Sequence, residues 1–266
     1  CALPICPNSN GQTLVNNLVG DGINVVPGSV SYIGAECASG TFTDGFASGI
    51  GIDSGVILTS GCAVDAAGPN ISDSTTSANW FPGDPDLSNL IPGFTIHDAT
   101  VLEFEFESEG GDLFFNYLFA SEEYNEYVNS PFNDVFGFFL DGVNIALIPG
   151  TTTPVAINTV NGGNPLGSNS SNSQFFNNND PSDGGPFFNL GYDGFTNVFT
   201  AKALGLSPGS HTIKLAIADA GDTILDSAVF IQANSFSDVE KTPEPTTVLG
   251  LLAAGVLGAT SLKHKQ

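Results

Sequence analysis

Residues 101–148 read VLEFEFESEGGDLFFNYLFASEEYNEYVNSPFNDVFGFFLDGVNIALI, and the alternation within this stretch decides the fold class. Leu102, Phe104 and Phe106 fall on one face and Glu103, Glu105 and Glu107 on the other, the period of two of a half-buried strand. Gly110-Gly111 turns the chain, and Leu113, Phe115, Tyr117 and Phe119 form a second apolar row. Residues 135–140 and 143–148 flank Asp141-Gly142, a two-residue hairpin signal whose glycine accepts a positive φ. Between these strands lies an acidic, aromatic loop, Ser121-Glu122-Glu123-Tyr124-Asn125-Glu126-Tyr127, followed by Asn133-Asp134. Strands rich in phenylalanine supply a core, and a loop dense in oxygen donors points to a cation.

Working outward, the remaining apolar runs are short and separated by Gly, Pro and Asn turns. Upstream, the spacing at 13–19 predicts a short helix, and 23–26, 30–33 and 56–58 read as strands. Residues 63–93 hold the single tryptophan, Trp80, and turns at Gly68-Pro69-Asn70, Pro82-Gly83-Asp84-Pro85 and Pro92-Gly93, and read as a long loop draped over the sheets. Downstream, 155–160, 198–203, 211–218 and 224–233 read as strands. The Asn-rich segment 161–195 between them is a long loop whose Phe175-Phe176 and Phe187-Phe188 pairs need a surface to rest on. This pattern predicts an all-β protein, a jelly-roll-like antiparallel β-sandwich with long loops over 1–238, plus a C-terminal apolar helix within a tail at 239–266.

Composition narrows the function. Twenty-eight acidic residues against 5 Lys and no Arg give a formal charge of −23, which excludes nucleic acid as a partner because nothing neutralises phosphate. Such a surface attracts divalent cations instead. The four cysteines, at 1, 6, 37 and 62, lack zinc-ligand spacing. We expect Cys37–Cys62 to pair in an extracytoplasmic setting, leaving Cys1 either to join Cys6 or to carry an acyl group. No secretory leader opens the chain, which reads as already processed.

The tail changes character abruptly. After Thr242, Pro243-Glu244-Pro245 precedes 17 uncharged residues, 246–262, and then Lys263-His264-Lys265. That length is at the short limit of a membrane span, with the basic end on the cytoplasmic side and the acidic domain outside. The order of motif, apolar run and basic end resembles the bacterial PEP-CTERM sorting signal. The resemblance implies an exosortase-type processing enzyme as partner and a place at the cell surface or in the extracellular or biofilm matrix. Phe115-Asn116-Tyr117-Leu118-Phe119-Ala120-Ser121-Glu122-Glu123-Tyr124 and Phe132-Asn133-Asp134-Val135-Phe136-Gly137-Phe138-Phe139-Leu140 resemble the choice-of-anchor L domain. So do 51–61, GIDSGVILTSG, and 225–231, LDSAVFI; together the matches span most of 35–235. This second resemblance implies a surface domain and supplies no established reaction.

For a site, the residues point to Ca2+, which takes six to eight oxygens from carboxylates, carbonyls and amides. Glu122, Glu123, Asn133, Asp134, Asp219, Asp222 and Asp226 are the expected ligands, provided the fold brings their loops to one end; solvated acidic loops are the plain alternative. Asp180, Asp183 and Asp193 in the Asn-rich segment are a second candidate cation site, which reads rather as solvated surface. No GxSxG or HExxH motif is present, and His97 and His211 stand alone, so an enzyme is not expected. A structural or adhesive role is expected, with extracellular polysaccharide or other surface proteins as partners. A lectin-like site using Trp80, Tyr124 and Tyr127, and self-assembly into an extracellular filament, are the rivals.

Overall fold

A computed structural model describes residues 3–241. In chain order its strands begin with β1 (Ile5–Pro7), β2 (Asn24–Val25), β3 (Ser31–Ile33), β4 (Ser39–Phe42) and β5 (Gly55–Thr59). The long central pair is β6 (Ile96–Ser108) and β7 (Gly111–Ser121), followed by β8 (Val135–Leu140) and the two-residue β9 (Val143–Asn144). Then come β10 (Phe176–Asn178), β11 (Gly194–Thr196), β12 (Phe199–Leu206), β13 (Gly209–Ala220) and β14 (Ser227–Gln232). Short helices α1 (Gly11–Leu18), α2 (Gly45–Ser48) and α3 (Pro85–Leu90) sit in the connections.

Every pairing of these strands is antiparallel, and they form two sheets. The larger runs β1-β4-β5-β14-β7-β11-β10, with β12 also on β7; the smaller runs β2-β6-β13-β8-β9, with β3 also on β6. Alternation sorts the side chains. Leu102, Phe104 and Phe106 of β6 meet Leu113, Phe115, Tyr117 and Phe119 of β7 in the core between the sheets, while Glu105 and Glu107 face water. The opposite parity of β7, Leu118 and Ala120, packs in a second core on the outer face of the larger sheet with Phe195 and Phe230. A third core covers the smaller sheet, where Leu87 of α3 meets Phe139 and Ala218. The hairpin signal at Asp141-Gly142 is realised with positive φ at both residues, 49° and 81°.

Two expectations are corrected. Residues 155–160 are not a strand: Pro154 and Ala156 each make an isolated bridge, and the chain then turns. The cause is local, because the Thr159 hydroxyl binds the Pro154 and Ala156 carbonyls and draws the backbone out of an extended path. The 63–93 loop also contains α3, started by Asp84, whose carboxylate caps Asp86 and Leu87 N–H groups, with Pro85 in the first turn. The sorting motif Pro243-Glu244-Pro245 and the apolar run beyond it lie outside the described residues, as does Cys1. Among the described residues no helix is long and apolar enough to cross a membrane.

Candidate metal centre

The end of β7 and the starts of β8 and β14 lie together, and the acidic loops grow from them. Ser227 of β14 is in register with Ser121 of β7, and Glu122 N donates to the Asp226 carbonyl at 3.1 Å. Across the sandwich, Asn133 N donates to the Ala220 carbonyl, and Ala220 N donates to Asp134 Oδ1 at 2.9 Å. The 122–134 and 219–226 loops therefore share one end of the molecule.

The loops do not contribute equally. Asp134, Asp219, Asp226, Glu122 and Glu123 are buried. Asp134 is held by the Ala220 amide and the Ser227 hydroxyl. Asp226 Oδ2 accepts from Ser77 N at 2.7 Å, and Glu122 Oε1 from Thr75 N at 2.8 Å, so the 63–81 loop closes over the acids. Asn133 is spent as a loop anchor, its Oδ1 accepting from Asn158 N, and Asp222 sits half-buried at the rim with its Oδ1 on Ile224 N.

Several oxygens in this end have no hydrogen-bond partner although they are sealed from water. Both carboxylate oxygens of Asp219 are so placed, as are Glu123 Oε2 and Asp226 Oδ1. The Ser60 hydroxyl near Asp219 lowers the cost of its charge but bonds neither oxygen with good geometry. His97, opposite Asp219 in the β6–β13 register, is not bonded to it either. Burial first, and repulsion from neighbouring carboxylates second, hold Asp219, Asp134 and Glu123 far above the usual carboxylate range. Burial likewise pushes Asp226 up to about 7 and Glu122 up to about 8. Among the described residues no three of these groups already close on a single point.

Among the described residues no lysine relieves that repulsion. Lys202 pairs with Glu240, Lys214 with Asp84 and Asp86, and Lys241 Nζ binds the Asn234 carbonyl; these are the lysines among the described residues.

Other expected residues are placed as follows. Cys37 and Cys62 form a disulfide with Cα atoms 4.8 Å apart, tying the entry of β4 to the exit of β5. Trp80 is 79% exposed, and Tyr127 is 38% exposed against the edge of Phe132. Tyr124 is not a surface residue: it is 0% exposed, its ring edge-on to Phe119 and tilted against Phe176, and its hydroxyl donates to the Val160 carbonyl. Its apolar ring completes the core, which removes it from any glycan surface. Asp180 and Asp193, read as solvated, are fully buried; only Asp183 of that trio is exposed. Their burial depends on the register of three-residue strands that carry no periodic signal, so the sequence offered nothing by which to find it.

The sequence model of the family described as Choice-of-anchor L domain matches residues 6–237, nearly the whole described chain. No curated protein matches, and no solved structure matches.

Proposed function

The chain belongs to the choice-of-anchor L domain family, and from that premise we propose a structural or adhesive module of the cell surface or extracellular matrix whose acidic end is tied by Ca2+. Membership makes it a surface-associated, extracellular protein, and the family is not known for enzymatic activity. The calcium reading rests on one observation above the others: Asp219, fully buried beside Asp134 and Asp226, has neither oxygen hydrogen-bonded. A buried carboxylate without partners costs far more than a surface one. A Ca2+ ion bridging Asp219, Asp134, Asp226 and Glu123, with Asp222 at the rim, supplies the missing counter-charge and accepts water to complete its shell.

The test is thermal unfolding of the chelator-treated protein against rising Ca2+. Binding saturated a hundredfold above Kd adds about 2.7 kcal/mol, or roughly 5–10 °C in a chain of this size. No shift at millimolar Ca2+ removes the site. Processing by an exosortase-type enzyme at Pro243-Glu244-Pro245 remains part of the proposal on the sequence resemblance, and mass spectrometry of the mature C-terminus checks it.

A second reading, polysaccharide binding, is favoured by Trp80. The Asp98 carboxylate accepts from Asn79 N at 3.0 Å and Phe81 N at 2.5 Å, gripping the backbone on both sides of a tryptophan whose ring reaches solvent. Exposed tryptophan on a fixed loop is the usual platform for a sugar ring.

A further inference from the structure

The register of the larger sheet carries its acid row beyond the Asp134–Asp219 end. Ser121 of β7 pairs with Ser227 of β14 on one side and with Gly194 of β11 on the other, and Gly194 pairs with Asn178 of β10. One residue further out, the same alignment sets Asp226, Glu122 and Asp193 side by side across three strands. Asn179 N then bonds the Asp193 carbonyl at 2.7 Å. The parity is that of Leu118 and Ala120, so Glu122 and Asp193 continue the outward face of the sheet, while Asp226, just ahead of β14, is near enough to repel both Glu122 and Asp134. Like charges directly opposite one another in neighbouring strands are destabilising.

Four further oxygens, in this row and in the loops beside it, are buried without a hydrogen-bond partner: Glu122 Oε2, Asn125 Oδ1, Asp180 Oδ2 and Asp193 Oδ2; among the described residues their three carboxylates do not already close on one point. Each belongs to a residue no more than 2% exposed. In every case the other polar atom of the side chain is occupied. Glu122 Oε1 accepts from Thr75 N, Asp180 Oδ1 from Ser182 N at 2.6 Å, and Asp193 Oδ1 from Asn70 Nδ2. Asn125 Nδ2 donates to Asn178 Oδ1 and Asp183 Oδ2. One atom of each side chain is thus fixed by a neighbour while its partner oxygen is left over, the arrangement that outer hydrogen bonds give to metal ligands.

We propose that Glu122, Asp180, Asp193 and the Asn125 amide oxygen hold a second divalent cation, Ca2+ by ligand type, on the outward face of the larger sheet. The ligands come from the end of β7, the following loop, the loop after β10 and the start of β11, and the 63–81 loop roofs them through Thr75 and Asn70. Three carboxylates and one amide fit Ca2+, which tolerates an irregular shell, better than Mg2+, which demands a near-ideal octahedron. The site uses different oxygens from the Asp134–Asp219 site and stands or falls apart from it; Asp226 lies between the two.

The experiment is calcium stoichiometry by equilibrium dialysis on the chelator-stripped full chain, with Ca2+ alone as probe. Wild type is expected to bind two ions, the Glu122→Gln/Asp193→Asn variant one, and the Asp134→Asn/Asp219→Asn variant one. A wild-type stoichiometry of one that survives Glu122→Gln/Asp193→Asn overturns the outward site and leaves the first. One ion that survives only Asp134→Asn/Asp219→Asn does the reverse, and no bound calcium removes both. Should the double variant fail to fold, Asp180→Asn in its loop is the substitute. It is expected to weaken one of two ions at least tenfold, and unchanged binding of both overturns the outward site.

Discussion

The Ser227 hydroxyl lies 2.6 Å from Asp134 Oδ2, a contact that joins the start of β14 in one sheet to the start of β8 in the other. It fastens the sandwich at the end where the carboxylates gather, so that protons and cations both act on the inter-sheet seam. Burial raises Asp226 from 3.8 to about 7, Glu122 from 4.5 to about 8 and Asp193 from 3.8 to about 9. Between the unfolded and folded values the native state therefore binds more protons than the unfolded chain, and stability must fall as pH rises. In chelator, the urea midpoint is expected to drop from about pH 5 to about pH 8. Calcium replaces the protons, so its stabilising increment should grow over the same interval. A chelated protein that is more stable at the alkaline end contradicts this account.

Asp219→Asn separates repulsion from ligation. With chelator present the variant is spared the cost of either burying a charge or taking up a proton at Asp219, and should melt a few degrees above wild type, at roughly 2–4 °C per kcal/mol. With saturating Ca2+ the order should reverse, because the amide is a weaker ligand. Calorimetry in the two conditions gives the comparison, and a variant that melts lower in both points to a purely structural Asp219.

The long strands were open to reading because one period runs through many residues: Leu102-Phe104-Phe106 against Glu103-Glu105-Glu107, and Leu113 to Phe119, place themselves. The inner acid group was legible for the same reason, since its members flank those strands. What the sequence hid was set by partners far along the chain. Asp180 and Asp193 are buried only because β10 and β11, three residues each, find β7. Tyr124 lies in a loop of acids and reads as exposed, yet its ring enters the core against Phe176. Residues 155–160 have strand-like apolar content, but Thr159 captures the backbone carbonyls. By contrast α3 carried its signal openly, a capping Asp84 before Pro85, and was passed over because Pro-Gly-Asp-Pro also spells a turn.

Lys214 offers a contrast between buried and exposed ion pairs. Its Nζ lies 2.6 Å from Asp84 and 2.7 Å from Asp86, bridging β13 to the first turn of α3 with little exposure at Lys214 and Asp84. Lys214→Ala should cost about 3 kcal/mol by stranding Asp84. Lys202→Ala, which breaks an exposed pair with Glu240, should cost less than about 1 kcal/mol. Urea titrations of both variants at neutral pH measure the difference; equal costs would remove the anchoring role of α3.

The Cys37–Cys62 bridge spans 25 positions in sequence. Closing a loop of that size restricts the unfolded chain by about 3.5 kcal/mol on the chain-entropy argument. Cys37→Ala/Cys62→Ala should therefore lower the urea midpoint, with a slope at least as steep as wild type because the freed unfolded chain exposes more surface, while retaining calcium binding. Loss of calcium binding in a folded double variant would show that the bridge positions the 63–81 loop over Glu122 and Asp226.

Trp80 combines exposure with a left-handed backbone, φ 58°, on a loop gripped at both sides by Asp98. A bulky residue is disfavoured in that conformation by about 1 kcal/mol, and the exposed ring recovers little by burial. Glycine has no such penalty. Trp80→Gly should then melt at or slightly above the wild-type temperature, and Trp80→Ala, which keeps the strained backbone, close to wild type. If the ring is there to meet a sugar, both variants should lose retention on immobilised extracellular polysaccharide while their melting curves stay intact. Retention unchanged in both would end the polysaccharide reading. A large drop in melting temperature would instead assign the ring to packing.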